Sequence, residues 1–187
     1  MAKIIETKIA YRGRGTVAIA TIQIDGHTLA REVEDHGNAA CVLPYDAARK
    51  TAILVRQFRA PVFLAAGAES FVEAIAGVVE ESDHAETARR EALEEAGLRL
   101  EKLEFVGNLW ASPGVSTERM ALYLAPYEAS DRVGAGGGLA DQHENTEAFE
   151  MPLARLASMV DEGGIADLKT FALVQSLRLR RPDLFRP

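Results

Sequence analysis

Apolar and polar positions alternate, or run apolar, through two segments near the start of the chain, Ile4 to Tyr11 and Thr16 to Ile24. Arg12-Gly13-Arg14-Gly15 separates them, and both read as strands. Asp25-Gly26 follows, and this dipeptide between strand-like segments is a strong hairpin signal. With Leu29 to Glu34 the result is a small antiparallel meander. So few strands are marginal alone, so the meander is expected to pack on the main body or on a partner subunit.

The main body begins with two apolar strand-like runs, Ala39 to Pro44 and Thr51 to Phe58, joined by the polar turn Tyr45 to Lys50. A loop containing Gly67 leads into Phe71 to Gly77. The pattern then changes to helical spacing from about Asp83 to Ala96. Ala85, Ala88, Ala92 and Ala96 form a narrow face for close packing. Asp83 with Glu86 resembles a capping box, and Gly97 supplies the stop. Leu98 to Trp110 and Thr117 to Tyr127 read as further strands around Ser112-Pro113-Gly114, with Trp110 expected in the core. Ala129 to Glu144, with Gly136-Gly137-Gly138, reads as a mobile loop. Two helices are predicted near Pro152 to Glu162 and Asp167 to Arg181. Strands and helices mixed in this way define an α/β or α+β domain, a sheet covered by helices.

The chain has 187 residues, 48% hydrophobic and 26% charged, as expected of one compact core with a small appendage. A formal net charge of -7 argues against a nucleic-acid binder that works by broad phosphate neutralisation. Cys41 is the single cysteine, so no intrachain disulfide or multi-cysteine zinc site forms, and its apolar neighbours predict burial. No segment approaches the roughly 18 to 20 continuous apolar residues of a membrane span. No signal-like stretch opens the sequence, so a cytoplasmic protein is expected.

Candidate chemistry centres on Glu91, Glu94 and Glu95. Residues three and four apart on a helix are neighbours, so Glu91 faces both others, and each like-charge pair costs roughly 0.2–0.5 kcal/mol in an isolated helix. A bound divalent cation would turn that repulsion to use, and magnesium suits carboxylate oxygens. A solvated helix face, partly neutralised by Arg89 and Arg90, is the alternative reading of these residues alone.

The order of residues is more specific. Arg90-Glu91-Ala92-Leu93-Glu94-Glu95-Ala96-Gly97-Leu98, preceded by Gly77, resembles the Nudix box, whose second half reads Arg-Glu-apolar-any-Glu-Glu-any-Gly-apolar. The spacer from Gly77 to Arg90 is one residue shorter than the commonest form. It is similar to that of the GDP-mannose pyrophosphatases. Arg31 to Ala39, Val55 to Arg59, Glu73 to Gly77, Ser112-Pro113-Gly114 and Gly136-Gly137-Gly138 also resemble the GDP-mannose and ADP-ribose pyrophosphatase branch.

The resemblance implies a Nudix-type mixed sheet sandwiched by helices over residues 39–187. Residues 1–38 would then form the antiparallel meander and take part in dimerisation. It implies hydrolysis of the diphosphate bond of a nucleoside diphosphate-sugar, with GDP-mannose ahead of ADP-ribose. A Nudix-like sensor that binds without cutting is the alternative. The implied cofactor is Mg2+, with Mn2+ as a substitute, held by Glu91, Glu95, the Ala76 carbonyl and Glu144, with Glu94 as a further ligand or a support. Glu144 would be metal ligand or general base, while Arg90 would orient the carboxylates. Arg31, Arg56, Arg59 and Glu118 are candidate substrate contacts. The expected partners are a nucleotide-sugar and a second copy in a homodimer, with neither nucleic acid nor membrane.

Overall fold

A computed structural model describes residues 1–80, 83–138 and 146–186. Strands β1 (Lys3–Arg12), β2 (Thr16–Ile24) and β3 (His27–Asp35) form an antiparallel three-stranded sheet in that order. The β2–β3 turn is made by Asp25 and Gly26. Every residue of β1 is exposed, including Ile4, Ile5, Ile9 and Tyr11. This sheet joins the body through β3, where the Glu34 N–H donates to the Val115 carbonyl at 2.7 Å and the Glu34 carbonyl accepts from Thr117 N–H at 2.9 Å.

A second, mixed sheet of seven strands carries the core. Its strands include β4 (Ala39–Asp46), β5 (Thr51–Gln57), β6 (Phe71–Glu73), β7 (Ile75–Val78), β8 (Glu104–Trp110), β9 (Arg119–Pro126) and β10 (Glu147–Pro152). The order is β10-β5-β4-β9-β8, with β6 paired to β5 and β7 to β4. Strand β4 runs parallel to β9 and antiparallel to β5 and β7.

Both faces of the central strands are covered, which explains their unbroken apolar runs. Ala40, Val42, Ile53 and Val55 pack under helix α2 (His84–Ala96), against Ala88, Ala92 and Ala96. Cys41, Leu43 and Leu54 pack on the other face against α3 (Leu153–Asp161) and α4 (Leu168–Arg180), through Leu153, Leu156, Leu173 and Leu177. The small residues of α2 thus let it lie close to the sheet.

Four local expectations change. The stretch before Gly67 is a seven-residue helix, α1 (Ala60–Ala66), with Pro61 in its first turn; it is too short for a helical period to be visible. Asp83 caps α2 by accepting from Ala85 and Glu86 N–H, but the Glu86 carboxylate pairs with Arg89 rather than closing the box. Residues 98–103 precede β8 instead of forming its start. Trp110 is 51% exposed, with the Arg119 guanidinium 5.3 Å from its ring centroid, because β8 is an edge strand. Among the described residues, no helix is long and apolar enough to cross a membrane.

Candidate active site

Residues of the sheet, of α2 and of the start of α4 line a cleft of about 510 Å³. Helix α2 contributes Arg90, Glu91, Glu94 and Glu95, and β7 contributes Ala76, Gly77 and Val78. Arg59, just beyond β5, lines it too, with Glu118 from the segment before β9. Glu91 and Glu95 reach the same space because they stand one helical turn apart. Glu95 is 4% exposed.

Arg90 lies between two of the carboxylates. Its Nη2 is 2.7 Å from Glu91 Oε1, and its Nη1 donates to Glu94 Oε2 at 2.8 Å. Glu86 pairs instead with Arg89. Burial alone would lower the Arg90 pKa, but the charges of Glu91 and Glu94 more than offset it and the net shift is upward. Gly77 is where Glu91 meets the backbone. A Cβ built there would overlap Glu91 Oε1 and Cδ, so only a residue without a side chain lets the carboxylate lie against this strand.

A second charged group lines the same cavity. Glu73 is 2% exposed, accepts from Arg59 Nε at 2.7 Å and also bonds Lys169 Nζ, which is 3.0 Å from Asp167 Oδ1. Arg59 donates its Nε–H to Glu73, and among the described residues its Nη groups make no hydrogen bond. Arg14, from the β1–β2 turn, also lines the cavity and makes no ion pair among the described residues.

The structure therefore gathers Arg59, Ala76, Arg90, Glu91, Glu94, Glu95 and Glu118 around one space. It does not bring Arg31 or Arg56 there. Arg31 lies on exposed β3 and donates to its neighbour Ala30. Arg56 is still inside the β5 ladder, directly opposite Glu147 of β10, and pairs with it at 2.8 Å, its guanidinium 4.7 Å from the Phe149 ring centroid. Arg59 stands past the strand end and pairs instead with Glu73, at the cavity. Glu144 lies outside the described residues.

Arg14, Glu73, Glu80, Asp167 and Lys169 were not singled out by sequence reasoning. For Asp167 and Lys169 a signal existed, since a capping Asp and its helix start were legible, but nothing local says where that start points.

Among the described residues, the lining holds four cationic side chains against seven carboxylates. The donors that α2 and Ala76 offer the cavity are oxygens, which fits a hard divalent cation rather than a thiol- or imidazole-seeking metal. Among the described residues, no three Asp, Glu, His or Cys side chains form a metal group by themselves. Magnesium commonly takes only one or two carboxylates, together with water and substrate phosphates. The carboxylates of Glu91 and Glu95 and the Ala76 carbonyl, which line one cavity, are donors of the chemical kind such an ion takes.

The NUDIX domain family matches residues 35–173, so this chain belongs to the Nudix family. A relative named GDP-mannose pyrophosphatase, from Cronobacter sakazakii, is 39% identical over 151 residues, covering 80% of this chain and 78% of the relative. Another of that name, from Salmonella typhimurium, is 36% identical over 149 residues, covering 79% and 77%. A solved structure described as an ADP compounds hydrolase superposes with a TM-score of 0.78 at 17% identity, covering 100% of this chain and 97% of that one. That likeness is one of fold: a mixed sheet between helices.

Proposed function

We propose that this chain is a magnesium-dependent hydrolase that cleaves the diphosphate bond of a nucleoside diphosphate-sugar, yielding a nucleoside monophosphate and a sugar phosphate. GDP-mannose is the favoured substrate and ADP-ribose the second. The carrying observation is the cavity lined together by Glu91, Glu95, Ala76 and Arg59. Identity to the GDP-mannose pyrophosphatases over four-fifths of the chain supports the substrate class.

A cavity this rich in carboxylates repels a diphosphate unless a divalent cation lies between them. Glu91, Glu95 and the Ala76 carbonyl would hold that cation, with Glu144 as a further ligand and Glu94 as a ligand or support. When bound, magnesium supplies charge neutralisation at the diphosphate oxygens and a more acidic water. Arg90 keeps Glu91 and Glu94 from rotating away through its two ion pairs. The Nη groups of Arg59 are placed for paired donation to phosphate oxygens. Glu118, which lines the same cavity, contacts substrate. Glu144 takes the proton of the attacking water. Mn2+ substitutes because it accepts the same oxygen donors.

The protein works as a cytoplasmic homodimer, with residues 1–38 as the dimerising segment and 39–187 as the catalytic domain. Exposed Ile4, Ile5, Ile9 and Tyr11 on a sheet with little contact to its own body support that assignment. Arg31 and Arg56 reach substrate only if the dimer or a rearranged side chain brings them there.

The test is release of monophosphate from a panel of nucleotide-sugars with Mg2+. Hydrolysis of GDP-mannose, lost in Glu91→Gln and Glu95→Gln, is expected. Binding of the panel without turnover would favour the sensor, and inertness toward all of it would reject both substrates. Wild-type turnover in Glu144→Gln at saturating Mg2+ would remove Glu144 from the mechanism.

A further inference from the structure

The final turn of α2 lacks the partners that its carbonyls need from within the helix. They come from an irregular segment some forty residues later. The Gly137 N–H donates to the Glu95 carbonyl at 2.9 Å, and the Gly138 N–H to the Glu94 carbonyl at 3.2 Å. Val133 and Gly134 N–H groups both reach the Gly97 carbonyl, at 2.8 and 3.2 Å, and Arg99 N–H donates to Asp131 at 2.9 Å. A continuous strap therefore runs along residues 94–99.

The strap lies too close for ordinary side chains. A Cβ on Gly136 would overlap the Glu95 carbonyl oxygen and the Ala96 Cα. Gly136, Gly137 and Gly138 all have positive φ, of 73°, 120° and 74°. This composition reads as looseness in the sequence, but residues 133–138 are held to the helix by backbone hydrogen bonds.

We propose that this strap positions the metal-binding carboxylates, and that Gly136 is a positioning residue for Glu95. The physical reason is the shared backbone. Glu95 supplies a carboxylate to the cavity while its own carbonyl is gripped by Gly137. A shift in the strap must move the last turn of α2, and with it the distance from Glu95 to Ala76. The glycines thus act on the cation without touching it. This inference rests on the metal reading above.

The experiment is Mn2+ titration of the full chain, read by electron paramagnetic resonance with no substrate present. Wild type is compared with Gly136→Ala. Gly163→Ala is the control, since Gly163 also has a positive φ of 76° but open space around its Cβ position. At least a tenfold weaker Mn2+ affinity is expected in Gly136→Ala, with the control unchanged in affinity. Turnover of a nucleotide-sugar should fall in kcat more than it changes KM. Wild-type affinity in a Gly136→Ala protein that has only a lower Tm would overturn the proposal. If Gly136→Ala does not fold, Gly137→Ala gives the same two outcomes, because its methyl meets nothing nearer than 3.9 Å but strains the donor to Glu95. Failure of the unaltered protein to bind Mn2+ would overturn the metal reading itself, and the strap's role with it.

Discussion

The hydroxyl of Thr170 accepts a hydrogen bond from the Ala74 N–H at 2.6 Å, joining the first turn of α4 to the backbone two residues before Ala76. Thr170 is fully buried and its hydroxyl also bonds the Asp167 carboxylate that caps α4. One side chain thus ties a helix start to the edge of the cavity. Thr170→Val keeps the shape but leaves the Ala74 N–H buried and unbonded. A loss of about 1–3 kcal/mol is expected from such an orphaned donor. Urea unfolding checks it, through a lower midpoint at constant slope, and Thr170→Ser should recover most of the loss.

Gly77 allows a contact rather than a turn. In Gly77→Ala the new methyl would occupy the place of the Glu91 carboxylate, so Glu91 must rotate away from Ala76. Turnover is expected to fall on the order of 10²-fold, as for a misplacement of about 1 Å. Steady-state kinetics with varied Mg2+ is the measurement. Activity within threefold of wild type would mean that the Glu91–strand contact does not matter to the reaction.

Acid should weaken the Glu73 group of the cavity lining. Burial works to raise the Glu73 pKa, but the hydrogen bond from Arg59 and the charges of Lys169 and Arg59 more than offset it, leaving the carboxyl below its ordinary value of 4.5. A depressed folded-state pKa means stability that is present above the unfolded value and lost as pH falls through the folded one. Thermal unfolding should therefore show Tm dropping as pH is lowered below 4.5. In Glu73→Gln, Tm should start lower and show a shallower acid dependence over that range.

Cys41 gives a test of burial at the cavity's inner edge. Its residue is fully buried, and burial pushes the thiol pKa up to about 12. Thiolate is the reactive form, so a disulfide reagent at pH 8 should leave the folded protein unmodified. One equivalent should react once urea unfolds the chain. Rapid modification of the native protein would show that the floor of the cavity opens.

Much was legible from residue order. The hairpin at Asp25-Gly26, the apolar runs of β4 and β5 and the Asp83-to-Gly97 boundaries of α2 are local signals, because turns, caps and periodicity act within a few residues. Strand β10 was not among them. Its residues Glu147 to Pro152 hold no continuous apolar run, and pairing with β5 defines it.

By itself, then, the sequence determined which residues share the carboxylate face of α2 and where that helix begins and ends, since both follow from a repeat of 3.6 residues and the chemistry of helix ends. Tertiary structure alone decided what faces that helix. It separated Arg59 from Arg56, brought Glu73 and Lys169 to the lining of the same cavity, and turned a glycine-rich stretch into a strap on Glu94 and Glu95. Those relations join residues tens of positions apart, and only the pairing of strands and the packing of helices brings such groups within bonding distance.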